Sequence, residues 1–229
     1  MAGWHRSLSE RLPLGRFHEI SLSTGDLAAS IGFWREQGWT QAQVRPVWPH
    51  PYAALSYGAL VIGLHEYRFP SPSVTCVHPD IAVALEEHRD AGMVIAFAKT
   101  GPGLFNEFGF RDPHGHMVTL LEAPTHEAPL LPAPLQGART IPSAQVFLSL
   151  PAEDIDLGLR FWGLLGATEQ GSIPGGWPCR RFSAGELPMA LHAAERLDRP
   201  ALVRVAVGGS GTRPAVTSPE GLAWVLAAD

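Results

Sequence analysis

Glu19 is the residue whose type and position most directly suggest chemistry. It lies in the segment FHEISLS at 17–23, where bulkier residues alternate with smaller or polar ones, as in a half-buried strand. A carboxylate on such a strand is costly to bury unless it is paired. Two interpretations stay open: a cavity-lining carboxylate with a raised pKa suited to general-base work, or a structural partner in a hydrogen bond or salt bridge. By alternation, Phe17 and Ser21 share its face.

Histidines are the other candidates for acid–base or metal chemistry. His65 ends an apolar strand and recurs as His192 in a matching segment without the carboxylate, which favours a structural role over a catalytic one. His18 alternates with Glu19, so we predict that it points away from that carboxylate. Two further histidines lie in and just after a turn, where we do not expect a metal site: His114 and His116.

A strand followed directly by a helix must position these residues. After the first strand, apolar residues recur at helical spacing, with Ser23 and Thr24 as candidate N-caps and Gly38 as a candidate C-cap. The same design returns at 149–166 with a constant offset, which indicates an internal duplication. The corresponding residues are Asp26 and Asp154, Trp34 and Trp162, and Gly38 and Gly166.

The patterns along the chain predict four units of one strand, one helix and three strands. In the fourth unit, only a short GGSGTRP stretch separates the first strand from the final turn and strand, so there is no room for a helix. Five prolines between 124 and 142 mark a linker. We therefore predict an N-terminal extension at 1–16, a first domain at 17–123, a linker at 124–143 and a second, degenerate domain at 144–229.

Composition limits the classes of partner. The formal net charge of −5 argues against binding to nucleic acid or to a membrane surface, since both need a basic footprint. No apolar run is long enough for a signal peptide or a membrane span. Cys76 and Cys179 lack a metal or redox spacing and are expected to be buried thiols. We predict a cytoplasmic protein.

Two motifs resemble those of a known superfamily: TGDLAASIGFW in the first unit and FRDPHGHMVTLLE in the second. They are similar to motifs of the vicinal oxygen chelate superfamily, which includes glyoxalase I, bleomycin- and fosfomycin-resistance proteins and extradiol dioxygenases. The resemblance covers nearly the whole chain from residue 17. It implies an α+β fold in which tandem βαβββ units pair into two curved mixed-sheet domains, each around a trough for a small molecule, with the fourth unit truncated.

The resemblance also implies where a metal would be held. Glu19 occupies the first ligand position, and the other three positions hold Gly63, Ser73 and Thr119. His65 lies two residues beyond Gly63, faces the same side and is expected near Glu19. Because a divalent ion needs three or more suitable ligands, this set is incomplete. We therefore expect no cofactor, and a divalent metal stays open as the alternative. Three corresponding positions of the second domain are apolar: Phe147, Ala190 and Val225.

Three functions stay open at this stage. The first is a protein that binds a small, largely apolar molecule in the first-domain trough, as resistance proteins of the superfamily do. The second is a lyase, isomerase or dioxygenase with Glu19 and His65 as base or metal ligands. The third is a structural or protein-interaction module. We expect a small-molecule partner and a monomer or homodimer, and the predicted ligand-binding residues are Phe17, Ser21, Gly63, Ser73 and Thr119.

Overall fold

The computed structural model describes residues 11–12, 14–44, 48–58, 60–122, 145–171, 178–206 and 215–228. Two mixed β-sheets form in this part of the chain, one of eight strands and one of seven. The elements of the first half are β1 (Arg16–Ser23), α1 (Leu27–Glu36), β2 (Thr40–Gln41), β3 (Tyr52–Tyr57), β4 (Leu60–His65), β5 (Ser73–His78), α2 (Ile81–Asp90), β6 (Ile95–Lys99), β7 (Glu107–Arg111) and β8 (Met117–Glu122).

Among the described residues, the second half repeats the order of the first half with one strand and one helix fewer. Its elements are β9 (Gln145–Ala152), α3 (Ile155–Leu164), β10 (Thr168–Gly171), β11 (Cys179–Ala184), β12 (Leu187–Ala193), β13 (Ala201–Ala206), β14 (Val216–Thr217) and β15 (Ala223–Ala228). Within 201–206 and 215–228, the described part of the fourth unit, there is no helix. The predicted α+β fold with two mixed sheets is confirmed. The segment in which a helix of the fourth unit would lie, 207–214, is outside the described residues, so the truncation of that unit stays a prediction.

Each helix begins at an aspartate whose side chain accepts a hydrogen bond from the backbone N–H three residues later. In α1 this cap is Asp26 and not Ser23 or Thr24, the residues that the sequence suggested; the Thr24 hydroxyl bonds to Ser30 Oγ at 2.7 Å. A glycine with positive φ follows each helix end, as expected for a C-cap. The caps and glycines are Asp26 and Gly38, Asp80 and Gly92, and Asp154 and Gly166.

Strand β1 lies inside the first sheet, between β4, which is parallel to it, and β5, which is antiparallel. Ile20 and Leu22 are fully buried and belong to one apolar cluster with Trp34 of α1. Glu19 and Ser21 alternate with them and occupy the opposite face, called here the inner face. The strand thus separates an apolar core from a row of polar side chains.

A β-bulge in β1 overturns two sequence predictions. Phe17 pairs with Cys76 and Glu19 with Thr75, so His18 is an extra residue and the alternation shifts by one. Phe17 packs against the core cluster and does not line the inner face, so its prediction as a ligand-binding residue is wrong. His18, predicted to point away from Glu19, instead has its Nε2 at 3.5 Å from Glu19 Oε2.

The two sheets share one apolar core through their outer faces. Trp224 of β15 contacts Trp34 of α1 and Trp39, with ring centroids 6.2 and 6.1 Å apart. Trp34 Nε1 also donates a hydrogen bond to Glu220 Oε2 at 3.2 Å. Helix α1 therefore covers the outer face of the fourth unit. The described residues of that unit contain no helix of their own.

Two histidines of the first half also bond to the second half. His114 Nε2 lies 2.9 Å from the carbonyl oxygen of Asp154, and His116 Nε2 lies 2.7 Å from that of Pro151. Because a carbonyl oxygen only accepts, both Nε2 atoms carry a proton and donate it. These side chains therefore connect the two halves.

The inner face of the second sheet is filled by its own apolar side chains. Phe147, at the position that corresponds to Glu19, is fully buried there. Ala190 and Val225, at two further predicted ligand positions, are in the same cluster. The buried members are Phe147, Cys179, Ala190, Ala201, Val203, Val205, Ala223, Val225 and Ala227.

Some predictions concern residues outside the described ranges, among them the linker at 124–143, most of the extension at 1–16 and the segment 207–214. Within the described ranges, no helix is long and apolar enough to cross a membrane. Cys76 and Cys179 are free and buried, and burial raises the pKa of each thiol to about 12.

Candidate functional site

The carboxylate of Glu19 is fully buried within the first sheet and accepts three hydrogen bonds. Ser21 Oγ and His65 Nε2 lie 2.7 and 2.8 Å from Oε1, and Tyr52 donates its hydroxyl to Oε2 at 2.5 Å. The predicted proximity of Glu19 and His65 is therefore observed. A buried carboxylate is tolerated when its oxygens are hydrogen-bonded, and this condition holds here.

These contacts set the charge state of Glu19. Burial by itself would raise the pKa of this carboxyl, but the hydrogen bond and charge of His65, together with His18 and Tyr52, outweigh burial and lower the pKa to about 2. Glu19 is therefore ionised at neutral pH. The interpretation of Glu19 as a base with a raised pKa is wrong; it is a fixed negative charge.

Tyr52 keeps its proton in this arrangement. Burial and the charge of Glu19 both raise the pKa of the Tyr52 phenol, and its hydrogen bond to the carboxylate adds to this. The hydroxyl therefore remains a donor to Glu19 Oε2. Tyr52 pairs directly with His65 across β3 and β4, which places the two donors side by side.

Gly63 makes room for the carboxylate. A Cβ atom at this position would overlap both oxygens and the carboxyl carbon of Glu19. Gly63 therefore does not contact a ligand as predicted; it lies behind Glu19 and allows the carboxylate to fit against β4. In the second sheet the corresponding residues are Ala190 and Phe147, a pair without a carboxylate to accommodate.

A second histidine extends the hydrogen bonds from Glu19. His65 Nδ1 lies 2.9 Å from His50 Nε2, while His65 Nε2 bonds to Glu19. An ionised carboxylate only accepts, so His65 Nε2 carries a proton. When His65 is neutral, its Nδ1 accepts the Nε2 proton of His50. Glu19, His65 and His50 then form one directed chain, called here the carboxylate–histidine chain.

The chain ends at a cavity of about 430 Å³ on the inner face of the first sheet. Its walls combine aromatic rings with a small number of hydroxyl and charged groups. The lining residues are Ser21, Trp48, Pro49, His50, His65, Tyr67, Phe69, Pro70, Ser73, Thr75, Phe97, Lys99, Phe105, Glu107, Met117, Thr119 and Leu121. Of the predicted site residues, Ser21, His65, Ser73 and Thr119 line this cavity, whereas Glu19, Gly63 and Phe17 do not.

Aromatic rings enclose the histidine end of the cavity. Tyr67 stacks on His50 with centroids 5.0 Å apart and an interplanar angle of 17°. Trp48 contacts the rings of His65 at 5.0 Å and Phe105 at 5.3 Å. These contacts restrict the orientation of both imidazoles. They also surround the two histidines with largely apolar side chains at this end of the cavity.

The residues at the superfamily's metal positions do not fit a divalent ion. Glu19 already accepts three hydrogen bonds, and Gly63 offers no side chain. Ser73 Oγ and Thr119 Oγ1 bond to each other at 2.8 Å, and a hydroxyl is a weak ligand. Among the described residues, no group of three or more His, Cys, Asp or Glu side chains could hold a metal ion.

Sequence reasoning missed Tyr52, His50 and the aromatic walls of the cavity. Tyr52 could have been found, because β3 is the antiparallel neighbour of β4 and Tyr52 lies opposite His65. His50 and Trp48 lie before β3, outside any regular element, so no periodicity indicates where their side chains lie.

The second sheet holds a simpler version of the histidine site. His192 Nδ1 lies 2.8 Å from Ser149 Oγ, and its Nε2 donates to the carbonyl oxygen of Leu197 at 2.9 Å. Phe147 stands in place of the carboxylate. The duplicated histidine thus bonds to a hydroxyl and a backbone carbonyl, and an apolar ring stands at the position of the carboxylate.

Solved structures with similar folds have related architectures. The chain superposes on catechol 2,3-dioxygenase with a TM-score of 0.57 at 11% identity, covering 95% of this chain and 88% of that one. For the Mn(II)-bound glyoxalase from Novosphingobium aromaticivorans, the TM-score is 0.57 at 13% identity, covering 93% and 81%. A homoprotocatechuate 2,3-dioxygenase variant from Brevibacterium fuscum gives a TM-score of 0.60 at 10% identity, covering 99% and 75%.

No protein-family model matches the sequence, and the search of curated proteins gave no match. At these low identities, the structural similarities establish the fold alone. The fold that these dioxygenases and the glyoxalase share with this chain is the one that the sequence motifs predicted.

Proposed function

We propose that this protein binds a small, largely apolar molecule in the first-domain cavity, without the metal site that the resemblance of its motifs implies. The observation that carries this proposal is the contrast between the two inner faces. In the first sheet this face borders a cavity of about 430 Å³, and in the second sheet it is filled by apolar side chains. Cavities of this size are typical of small-molecule sites.

The walls indicate the chemistry of the bound molecule. Trp48, Phe97 and Phe105 offer apolar aromatic surface for a flat or ring-shaped ligand. Hydroxyls and histidines lie on the sheet side, where they can orient one polar group of the ligand. A structural or protein-interaction module needs no such cavity, so this arrangement favours the binding function over that alternative.

An enzymatic function is the second candidate, and the carboxylate–histidine chain favours it. The structural neighbours include dioxygenases and a Mn(II)-bound glyoxalase. In this chain the donor set at the corresponding positions does not fit a metal, so chemistry through Glu19 and His65 as metal ligands is not supported. The arrangement of the histidines beside the cavity is compatible with proton transfer, which needs no metal. A cytoplasmic location and a monomeric or homodimeric state remain part of this proposal.

Filling the cavity should abolish binding. Thr119→Phe places a ring in the cavity wall and is expected to weaken binding of para-nitrophenol or indole by about tenfold or more, measured by isothermal titration calorimetry. The matched control is Thr168→Phe on the exposed strand β10, which should leave the affinity unchanged. Unchanged affinity in the folded Thr119→Phe protein would place the binding site elsewhere.

A further inference from the structure

The hydrogen bonds around Glu19 determine where the protons of both histidines lie. Glu19 accepts at Oε1, so His65 Nε2 carries a proton, and in the neutral His65 ring Nδ1 holds a lone pair. With His65 neutral, that lone pair accepts the His50 Nε2 proton across 2.9 Å. In the neutral chain, His50 Nδ1 is consequently the nitrogen with a free lone pair.

We propose that His50 Nδ1 is the proton acceptor of a metal-independent acid–base site, which takes a proton from a neutral, weakly acidic O–H or N–H group of the molecule bound in the cavity. This inference rests on the proposed binding function. His50 lines the cavity and is half-buried between Tyr67 and Trp48. Within the described residues, no hydrogen bond is recorded for its Nδ1.

The proton transfer balances without another reactant. The ligand's X–H bond breaks, its electron pair stays on X, and the proton binds His50 Nδ1. The Nε2 proton of His50 can then pass to His65 Nδ1, so that the positive charge lies on His65 beside the Glu19 carboxylate. Glu19 and His65 are positioning residues in this scheme, because neither needs to touch the ligand.

The surroundings of His50 act on its charge in two opposing ways. Burial and the neighbouring His65 lower the pKa of His50 and so favour the unprotonated ring before transfer, whereas Glu19 raises this pKa and stabilises the transferred proton. Lys99, the only lysine of the chain, lines the same cavity and offers a positive charge to the ligand anion. The titratable groups around the site are Glu19 and His18 on β1, Tyr52 on β3, His65 on β4, Tyr67 after it, and Lys99 and Glu107 on β6 and β7.

The second sheet supplies an internal comparison. His192 is held by Ser149 and the carbonyl oxygen of Leu197, with Phe147 in place of a carboxylate. In the first sheet, the equivalent His65 instead bonds to the Glu19 carboxylate and to His50, and His50 lines the cavity.

The probe for this inference is para-nitrophenol, whose anion absorbs visible light. Bound to the wild-type protein, its apparent pKa should fall by about one unit or more relative to the free probe, because the proton moves to the histidines. His50→Gln and Glu19→Gln should remove this shift. His114→Gln, which alters a histidine outside the cavity, should retain it.

Each outcome bears on a defined claim. A bound probe that stays neutral with an unshifted pKa overturns this inference while leaving the binding function intact. A shift that survives in His50→Gln overturns the assignment to His50. Absence of binding contradicts the proposed function itself.

Nitrogen-15 NMR of the wild-type protein tests the proton transfer to the histidines even if a variant fails to fold. Probe binding should convert one of the two imidazoles to the doubly protonated form. If both rings remain neutral while the probe is bound, the inference is wrong.

Discussion

Gly63→Ala is expected to lower the free energy of unfolding by about 3 kcal/mol at neutral pH, the range measured when a buried ion pair is broken. The new methyl group would occupy the space of the Glu19 carboxylate. Glu19 could yield only by leaving Ser21, Tyr52 or His65, and each of these losses leaves a buried polar group without its partner. Urea denaturation followed by tryptophan fluorescence measures this change.

Two controls isolate the cause. Gly32→Ala in α1 meets no atom within 4 Å and should change stability by no more than about 1 kcal/mol, in the stabilising direction. In a Glu19→Ala background, Gly63→Ala should cost little, because the carboxylate that it displaces is absent. An equal cost of Gly63→Ala in both backgrounds would contradict the steric explanation.

Glu19→Gln should destabilise the protein in a pH-dependent manner. The pKa of Glu19 is about 2 in the folded protein against an ordinary 4.5, so its charge stabilises the fold at pH values above 4.5. That stabilisation is lost as the pH falls from 4.5 to about 2. The expected difference between wild type and variant is about 3 kcal/mol at pH 7 and approaches zero at the acid end of this window.

Stability curves of wild type and variant, recorded from pH 7 downwards, test this expectation. The matched control is Glu186→Gln in the exposed β11–β12 turn, which should change stability by less than about 0.5 kcal/mol. A Glu19→Gln difference that is constant with pH would mean that the carboxylate's charge does not stabilise the folded state.

The fold could be predicted because its signals are repeated and local. Asp26 and Asp154 cap equivalent helices, and Trp34 and Trp162 lie at the same position of those helices. Each copy supports the interpretation of the other. The proximity of Glu19 and His65 could also be predicted, because it depends only on strand alternation and on the parallel pairing of β1 with β4.

The remainder of the site depends on geometry that strand alternation cannot supply. A single extra residue in β1 moved Phe17 to the core and His18 towards Glu19. The charge state of Glu19 depends on a competition between burial, which raises the pKa of its carboxyl, and hydrogen bonds, which lower that pKa. The sequence did not identify all of the hydrogen-bond donors. His50 reaches His65 from an irregular segment, and only the folded chain reveals that contact.

The sequence patterns also did not predict how the two halves pack against each other. The sequence predicted only that the second domain is degenerate, with a truncated fourth unit. In the structure, Trp224 of that unit is buried by Trp34 and Trp39 of the first, so α1 serves both sheets. Ring contacts between distant segments of a chain leave no periodic signal in either segment.

A crystal structure of the protein with para-nitrophenol is the most direct test of the central claim that the first-domain cavity is a small-molecule site organised by Glu19, His65 and His50. We expect the probe's ring beside Trp48 and Phe105, with its oxygen within hydrogen-bonding distance of His50 Nδ1. A probe bound in the second domain or on the outer surface, with the first-domain cavity empty, would contradict the account.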